Sequence, residues 1–265
     1  MKILVINLDR TPDRMERMTS ILAEQDLEPV RVSAVDGRTL SEEERERWMG
    51  AGRIPTSKKR QSLGLGEVAC FLSHRKCWEM VLKGSDTHAV ILEDDIYIGA
   101  CEEVMASPDW IPADADVVKL ETNAKRTILD SKPEVTIGGR HVRRLYGLHN
   151  GTAGYVVSRE AARKLLDMSQ TFSVTVDWFM FNPECESFHA LTIYQVDPAV
   201  CIQDQNLNRK PSSEMLDSTL REERLRRRRV GLSKLRREIV RPFIKFARIL
   251  RGIVPSQKAK IVPFQ

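Results

Sequence analysis

The stretch HAVILEDD, residues 88–95, decides how this chain is interpreted. Its apolar run from Ala89 to Leu92 is typical of a strand that is buried on both faces. Three carboxylates follow directly, and in open α/β folds the ligand crevice lies beyond the carboxyl ends of the strands. We therefore expect Glu93, Asp94 and Asp95 to line a cleft, where they would suit a hard cation. In an extended chain Glu93 and Asp95 face one side and Asp94 faces the other.

The first forty residues predict the opening of an α/β domain. KILVINL, residues 2–8, has the uninterrupted apolar character of a central parallel strand. A helix should begin at Pro12 with Thr11 as its cap, and a second strand is expected over residues 29–35. Strand, helix and strand at this spacing form a βαβ unit, which is the usual opening of a nucleotide-binding α/β domain.

Further elements follow after residue 40. Ser41 and Glu44 form a capping box that begins a short charged helix, and residues 50–62 have the composition of a mobile surface loop. A helix with an apolar face is expected from about Gly64 to Lys83. The pattern predicts strands at 88–92, 116–121, 155–157 and 192–196, a helix at 158–168, and a hairpin formed by 134–138 and 141–146.

The composition fits a soluble globular protein, but the charge is unevenly distributed. The 265 residues are 42% hydrophobic and 30% charged, with a net charge of +5. Residues 221–260 contain 15 Lys and Arg against 3 Asp and Glu, which leaves 27 basic and 34 acidic residues elsewhere. We therefore predict one α/β domain over residues 1–212 and a basic C-terminal extension over residues 213–265.

The extension has the pattern of a basic amphipathic helix, which Pro242 should kink or restart. Its apolar residues at helical spacing are Leu232, Leu235, Ile239, Phe243, Phe246, Ile249 and Leu250. Such a helix indicates binding to an anionic membrane surface. Two other interpretations are that the apolar stripe packs on the globular domain, or that the basic residues bind RNA. The stripe lacks an aromatic stacking platform, which favours lipid over RNA.

Cysteine usage and the N-terminus favour a cytoplasmic protein. Five cysteines without a CxxC spacing indicate reduced thiols and argue against a zinc site. The apolar run after Lys2 is too short for a signal peptide, and no segment has the length of a transmembrane helix.

The sequence contains neither GxxxxGK[ST] nor GxGxxG after a strand, which disfavours P-loop and dinucleotide-binding sites. A phosphate-containing ligand would then be held by carboxylates that bridge to a diphosphate through a divalent cation. Such a site suits a sugar-nucleotide donor, because the metal stabilises the leaving diphosphate when the glycosidic bond breaks.

Seven motifs in order resemble glycosyltransferase family 25. They are INLDR at 6–10 with Arg14 beyond it, AVDG at 34–37, GEVACFLSHRKCW at 66–78, VILEDD at 90–95, VKLET at 118–122, HNGTAGYVVSREA at 149–161 and VDWFMF at 176–181. Within this family the chain is most similar to bacterial lipooligosaccharide galactosyltransferases of the β-1,4 type, including its residues IVPFQ at 261–265. The similarity covers nearly the whole chain.

The resemblance implies a GT-A-type, Rossmann-like fold, in which a mixed sheet is flanked by helices, with residues 1–212 as the catalytic domain. It also implies UDP-galactose as donor, inversion at the anomeric carbon, and Mn²⁺ or Mg²⁺ as cofactor. In GT-A enzymes a DxD-type motif holds the metal, and the matching position here is 93–95. Asp95 is the first expected ligand, joined by Glu93 or Asp94, and His149 is a candidate third ligand. The alternative is a carboxylate cluster that caps a helix or pairs with arginine.

An inverting transfer needs a base that takes the proton of the acceptor hydroxyl opposite the leaving diphosphate. Asp177, which lies among Trp178, Phe179 and Phe181, is the first candidate, because apolar surroundings raise the pKa of a carboxyl group. Glu121 is the second candidate, and its alternative role is to bind hydroxyls of the donor sugar. Either carboxylate could instead cap a loop.

Donor-binding residues are expected at strand ends and in the glycine-rich stretch. The uridine would lie near Asn7, Leu8 and Asp36, and the phosphates near Arg10 and Arg14. The other expected donor-binding residues are Ser73, His74, Asp94, Gly151 and Thr152, where glycine would let the backbone approach the sugar. The alternatives are solvated arginines, a core histidine and a plain tight turn.

The sequence thus predicts an inverting transferase that moves galactose from UDP-galactose to a terminal GlcNAc or glucose of a lipooligosaccharide or lipopolysaccharide acceptor. The enzyme would lie peripherally on the inner face of the cytoplasmic membrane, with no nucleic acid as partner. One alternative is transfer of another UDP-hexose. A second is a non-catalytic nucleotide- or RNA-binding protein.

Overall fold

The computed structural model describes residues 1–50, 63–207 and 256–265. Its strands are β1 Lys2–Asn7, β2 Pro29–Ser33, β3 His88–Glu93, β4 Ile96–Ile98, β5 Val117–Lys119, β6 Glu121–Thr122, β7 Arg126–Asp130, β8 Val135–Ile137, β9 Arg140–Arg144, β10 Gly154–Ser158, β11 Ile193–Asp197, β12 Cys201–Gln203 and β13 Gln257–Ile261. Its α-helices are α1 Pro12–Ala23, α2 Glu42–Trp48, α3 Leu65–Lys83, α4 Glu102–Met105, α5 Arg159–Met168, α6 Val176–Phe181 and α7 Glu186–His189.

The main sheet has eight strands in the order β2-β1-β3-β10-β5-β11-β9-β8. Strand β1 pairs in parallel with both β2 and β3, which confirms its predicted parallel position and the opening βαβ unit. The pairs β3/β10, β10/β5, β11/β9 and β8/β9 are antiparallel, whereas β5/β11 is parallel. The sheet is therefore mixed and flanked by helices, as predicted, and the 134–146 hairpin is confirmed as β8/β9.

Strand β3 is buried on both faces, as its apolar run predicts. Ile91 lies in a core cluster with residues of α3, α5 and α6, whereas Val90 and Leu92 lie in a second cluster with residues of α1 and α4. All three side chains are fully buried. Burial of each such side chain stabilises the folded state by roughly 1.5–3 kcal/mol, because apolar surface is removed from water. The strand that carries the carboxylates is therefore held rigidly between two apolar layers.

Two predicted helix starts are confirmed, with one difference in capping. Helix α1 begins at Pro12, and α2 begins with the predicted capping box between Ser41 and Glu44. Thr11 stands at the cap position of α1 but makes no side-chain cap, because its hydroxyl donates to the carbonyl of Leu8 instead.

A smaller sheet of three strands, β4-β12-β6, continues from the end of β3. Its strands are only two or three residues long, and each carries an acid at or beside one end. Asp95 directly precedes β4, Glu121 is the first residue of β6, and Asp204 directly follows β12. We call these strands the small sheet. It brings together acids that are more than a hundred residues apart in sequence.

Residues 256–265, which belong to the predicted extension, pack against the globular domain. Strand β13 pairs antiparallel with β7, and Val262 is fully buried. The rest of the extension, including the predicted amphipathic helix and its kink at Pro242, lies outside the described residues, as does the predicted loop over 51–62. Within the described ranges no helix is long and apolar enough to span a membrane. The boundary at residue 212 stays a prediction.

Candidate active site

Five acidic side chains meet where β3 ends and the small sheet begins. We call them the acidic cluster: Glu93, Asp94, Asp95, Glu121 and Asp204. Each has no more than an intermediate exposure to solvent, and Asp94, Asp95, Glu121 and Asp204 are buried. Burial of a charged carboxylate lowers the stability of the fold unless a hydrogen-bond donor or a cation compensates the charge. The partner of each carboxylate therefore indicates its role.

Glu93 is surrounded by donors. Its carboxylate lies 3.3 Å from His74 Nε2 and accepts hydrogen bonds from Thr152 Oγ1 at 3.0 Å and Gln203 Nε2 at 3.1 Å. Burial alone would raise the pKa of Glu93, but the bonds from His74, Thr152 and Gln203 outweigh it and lower the pKa. Glu93 is therefore a charged and well-satisfied carboxylate. The structure places the predicted residues His74, Glu93 and Thr152 in direct contact.

Asp94 points to the other side, towards α1, as the alternation along an extended chain predicts. Asn7 Nδ2 donates to its Oδ2 at 2.7 Å, and Arg14 lies 3.4 Å from its Oδ1. The Asn7 side chain is fixed in turn, because its Oδ1 accepts a hydrogen bond from Arg31 Nε at 2.9 Å. Burial raises the pKa of Asp94 against the effects of Asn7 and Arg14. Asn7 and Asp94 thus form one side of the cluster.

Asp95 and Asp204 differ from the other acids because each has a buried oxygen without a partner. Asp95 Oδ1 and Asp204 Oδ2 are inaccessible to solvent and form no hydrogen bond. The two residues are adjacent, since the Asp204 N–H donates to the Asp95 carbonyl at 3.2 Å. Burial, with the charges of Glu93, Asp94 and Glu121, raises the pKa of Asp95 to about 8.

This arrangement fits a divalent cation. A hard cation is bound by carboxylate oxygens, and Asp95 and Asp204, whose main chains are joined by a hydrogen bond, each offer an unpartnered one. A raised pKa is also expected for a metal-binding carboxyl group in the absence of its metal, because no positive charge then offsets its burial. Asp95 and Asp204 are the residues that would hold the ion, and Glu93 lies beside them.

Glu121 forms a buried ion pair that sequence reasoning did not anticipate. Lys119 Nζ donates to its Oε1 at 2.7 Å, and the Ala153 N–H donates to its Oε2 at 3.1 Å. Lys119 is fully buried and also lies 4.1 Å from the centre of the Phe181 ring. Burial raises the pKa of Glu121 to about 7, although Lys119 and Ala153 oppose the shift. Both oxygens of Glu121 are therefore engaged inside the protein.

Gly151 is required because the chain passes closely over Glu121. Its φ is +105°, a conformation that side chains with a Cβ rarely adopt. A Cβ added at this position would lie 1.9 Å from Glu121 Oε1. The main-chain carbonyl of Gly151 also accepts a hydrogen bond from Lys119. Gly151 and Glu121, both predicted site residues, are thus packed directly together.

His149 is a neutral residue with one unused nitrogen. Its Nδ1 lies 2.8 Å from Gln195 Oε1, and because that oxygen only accepts, the proton is on Nδ1. Its Nε2 is buried and has no partner. Burial and the nearby Lys119 charge lower the pKa of His149 to about 3. His149 remains the candidate third ligand of the sequence prediction, with a lone pair available for that role.

Other predicted site residues lie in separate contacts. Arg10 pairs with Asp36 at 2.7 Å on the partly exposed edge beyond β1 and β2. The Ser73 hydroxyl donates to the Ala69 carbonyl and accepts the Val35 N–H, so it joins α3 to the segment after β2. The carbonyl of Leu8 accepts the N–H and hydroxyl of Thr11.

Asp177 is half-buried in the first turn of α6, where Thr175 Oγ1 donates to its Oδ1 at 2.5 Å. The other end of this short helix reaches the site, because the Phe181 carbonyl accepts the His149 N–H at 3.2 Å. The described contacts do not join Asp177 itself to the acidic cluster. Its role as base stays a prediction.

Sequence reasoning missed Lys119, Gln203 and Asp204. A signal for the last two is present, because the run Val200-Cys201-Ile202 ends in Gln203-Asp204 as the run 89–92 ends in acids. The run is short and follows Pro198 closely, so it does not stand out as a strand. A signal for Lys119 is also present, because Lys119 and Glu121 are two residues apart and therefore face the same side of an extended chain.

Comparisons with known proteins identify a family. A family model described as Glycosyltransferase family 25 (LPS biosynthesis protein) matches residues 1–180. Lacto-N-neotetraose biosynthesis glycosyltransferase LgtE of Neisseria meningitidis serogroup B is 31% identical over 221 residues, which cover 79% of this chain and 78% of the relative. Lipooligosaccharide biosynthesis protein lic2B of Haemophilus influenzae is 31% identical over 169 residues, covering 60% and 61%.

Among solved structures, a glycosyltransferase involved in the glycosylation of the major capsid of PBCV-1 is similar at a TM-score of 0.40 and 11% identity. The alignment covers 76% of this chain and 92% of that one.

Proposed function

The chain belongs to glycosyltransferase family 25, and we propose that it transfers galactose from UDP-galactose to a lipooligosaccharide acceptor. The acceptor sugar in this proposal is a terminal GlcNAc or glucose, and the transfer inverts the anomeric carbon. The names of the two relatives refer to lacto-N-neotetraose and lipooligosaccharide biosynthesis, which supports an acceptor of this class.

One observation carries the proposal: Asp95 Oδ1 and Asp204 Oδ2 are buried without a partner, on two residues whose main chains are joined by a hydrogen bond. We assign a Mn²⁺ or Mg²⁺ ion to these two residues, with Glu93 beside them. A bound ion of this kind stabilises the negative charge that develops on the leaving diphosphate. This assignment revises the sequence expectation that Glu93 or Asp94 is the second ligand, because the donors of the protein already satisfy both.

The residues that surround Asp94 form the proposed nucleotide side of the site. Asn7 and Asp94 stand at the carboxyl ends of β1 and β3, where ligands of open α/β sheets bind. Arg14 approaches Asp94 from α1 and supplies the positive charge nearest to it. We propose that Arg14 contacts a donor phosphate, and that the Arg10–Asp36 pair lies beside the uridine.

Asp177 is our proposed base. It lies at the half-exposed start of α6, where an acceptor hydroxyl can approach from solvent, and the Thr175 hydroxyl fixes one of its oxygens. Its free oxygen would take the acceptor proton as the bond to the anomeric carbon forms.

Glu121 serves a different purpose in this proposal. Its oxygens are occupied by Lys119 and Ala153, and Gly151 covers it. It would therefore hold the 150–153 turn, which carries Thr152, against the donor sugar, and would not exchange protons with the acceptor.

The lipid-linked acceptor requires the enzyme to work at a membrane. We propose that the basic segment within residues 213–255 holds the enzyme on the anionic inner face of the cytoplasmic membrane, an inference from its sequence alone. Full-length protein in which six of its arginines are changed to glutamine should lose sedimentation with vesicles of phosphatidylglycerol while keeping its transferase rate. Unchanged sedimentation would remove the segment from the proposal.

A panel of UDP-sugars tests the reaction. We expect UDP release and transfer to GlcNAc or glucose acceptors with UDP-galactose and Mn²⁺, and neither in EDTA. Proton NMR of the product should show the β linkage that inversion requires. Transfer only from another UDP-hexose would correct the donor, and release of UDP from none of them would favour a non-catalytic nucleotide-binding protein.

A further inference from the structure

Residues 256–265, which we call the C-terminal strap, bind the globular domain along most of their length. Strand β13 pairs with the whole of β7, from Gln257 opposite Asp130 to Ile261 opposite Arg126. Val262 is fully buried in the larger apolar core. The strap is therefore a docked part of the fold, although it follows the basic segment.

Beyond β13 the strap contacts strand β6 of the small sheet and the chain directly beside β4 and β12. The Thr122 hydroxyl in β6 donates to the Val262 carbonyl at 2.7 Å, a fully buried bond. Ala199, two residues before β12, donates its N–H to Pro263 at 2.8 Å and accepts the Gln265 N–H at 3.1 Å. Gly99, one residue after β4, passes so close that an added Cβ would lie 2.4 Å from the Gln265 carbonyl.

Arg140 forms further hydrogen bonds that link the strap to the chain beside the small sheet. Its guanidinium donates to the Gln265 carbonyl at 2.7 Å and to the Ala100 carbonyl at 3.0 Å, and also to the carbonyl of Pro198 at 3.1 Å. One buried cation thus joins the strap to the chain beside β4 and to the chain before β12.

The strap and the proposed cation ligands lie at opposite ends of the same two strands. Strands β4 and β12 are antiparallel, so Asp95 and Asp204 stand together at one end. Gly99 and Ala199 stand at the other end, where the strap binds. Strands of two or three residues hold their geometry only when neighbouring structure supports them. Support at the strap end therefore fixes the separation of the two acids at the other end.

We propose that the C-terminal strap is a positioning element of the active site, which binds the small sheet and thereby holds Asp95 and Asp204 at the spacing that a divalent cation needs. The proposal rests on the cation assignment made in the proposed function, and Mn²⁺ binding tests it separately from the sugar transfer. The strap itself contacts no reacting group.

Two full-length variants that introduce the same residue test the proposal. Val262→Asp places a charge in a buried position and should release the strap, whereas Ala259→Asp places it at an exposed position of β13. Binding of Mn²⁺ with UDP present, measured by electron paramagnetic resonance, should weaken at least about tenfold in Val262→Asp and less than about twofold in Ala259→Asp. The kcat with UDP-galactose should fall in parallel, with a higher Mn²⁺ requirement.

A synthetic peptide of residues 256–265 should restore Mn²⁺ binding to Val262→Asp in a saturable way, and a peptide of scrambled sequence should not. Normal Mn²⁺ binding by Val262→Asp would overturn the proposal. A defect that the peptide does not restore, in a protein with native circular dichroism, would overturn it too.

If Val262→Asp does not fold, the variants Thr122→Val and Thr122→Ser test whether the strap supports Mn²⁺ binding. Thr122→Val removes the bond to the Val262 carbonyl, and Thr122→Ser keeps it. Weaker Mn²⁺ binding in the valine variant with recovery in the serine variant supports the strap, and equal binding in both overturns it. A wild-type protein that binds Mn²⁺ but transfers no sugar would refute the proposed function alone.

Discussion

The carboxylates of residues 93–95 differ in whether the protein supplies them with hydrogen-bond donors. On the β3 side, Glu93 and Asp94 receive hydrogen bonds from His74, Thr152, Gln203 and Asn7. On the side of the small sheet, Asp95 shares its surroundings with Asp204, and each keeps an oxygen without a partner. A protein that satisfies one acid with its own donors and leaves its neighbour unsatisfied reserves the second for a ligand. The difference distinguishes acids that hold the site together from the acids to which we assign the cation.

The strongest way to break this comparison is Asp95→Asn. The amide keeps the shape but loses the charge, so we expect kcat to fall roughly 10²–10³-fold or more, as for loss of a main electrostatic contact to the transition state. Asp204→Asn should behave in the same way. Glu102→Gln, which changes an exposed acid of α4, is the control and should keep full activity. Initial rates of UDP release at saturating Mn²⁺ measure the effect, and near-normal rates in Asp95→Asn would reassign the cation site.

The next largest effect is expected from Gly151→Ala, in which a steric clash disturbs the part of the site whose carboxylates have hydrogen-bond donors. The added Cβ would collide with Glu121 Oε1 and displace the turn that carries Thr152. A displacement of about 1 Å at such a turn lowers rates by up to about 10²-fold. Gly139→Ala is a matched control, since Gly139 also has a positive φ but has nothing within 4 Å of an added Cβ. Equal losses of activity in the two variants would attribute the effect to backbone strain.

A titration of stability sharpens the comparison without any substrate. Burial and the neighbouring carboxylates raise the pKa of Asp95 from its ordinary 3.8 to about 8, so the folded state binds the proton more tightly than the unfolded state. The contribution of Asp95 to the unfolding free energy of the metal-free protein should therefore fall as pH rises between these values, by up to about 1.4 kcal/mol per pH unit. Denaturant unfolding in EDTA at pH 6.0 and 7.5 measures this loss.

In Asp95→Asn the contribution of Asp95 to the pH dependence disappears. The contributions of Asp94 and Glu121, whose pKa values burial raises, and of His149, whose pKa burial lowers, remain. The variant should therefore be more stable than the wild type at pH 7.5 without metal, and its advantage should shrink when Mn²⁺ is added to both. A wild type that loses no more stability than Asp95→Asn between pH 6.0 and 7.5 would contradict the unsatisfied state of Asp95.

Some features of the site could be predicted from the sequence and others could not. The strand 89–92, its acids and the α3 helix were predictable because each signal is local: an apolar run, a charge triplet and an apolar face at helical spacing. The partner of Asp95 was not predictable in that way. Asp204 reaches it only through strands of three residues that are about a hundred positions apart, and such short strands have no periodicity to detect.

The same limit applies to side-chain partners. The sequence placed His74, Thr152 and Glu93 among the site residues, but it did not show that the first two satisfy the third. It also could not show that residues 256–265 return to the small sheet, because their docking depends on Thr122, Ala199 and Gly99, which are distant in sequence. Local pattern identifies which residues carry chemistry, and long-range packing decides which of them remain available.

A smaller effect is expected from Thr152→Val, which removes one of three donors to Glu93 and keeps the side-chain shape. Loss of one hydrogen bond to a buried charged group should cost about 1–3 kcal/mol of stability. The kcat should fall less than tenfold, because His74 and Gln203 still hold the carboxylate, a rough expectation for one of several donors. Thermal unfolding and initial rates measure the two effects. A rate loss as large as that of Asp95→Asn would mean that Glu93 itself binds the cation.

The smallest effect on stability should come from Arg10→Gln. The Arg10–Asp36 pair is about a quarter exposed on both sides and stands apart from the acidic cluster. An ion pair of this kind contributes less than about 1 kcal/mol, so thermal unfolding should barely change. If Arg10 also contacts the donor, the KM for UDP-galactose should rise while kcat stays constant, because the contact would be equal in the ground and transition states. Because Asp36→Asn breaks the same pair and leaves Arg10 charged, an equal rise of KM in both variants would identify the pair, and not Arg10 alone, as the donor contact.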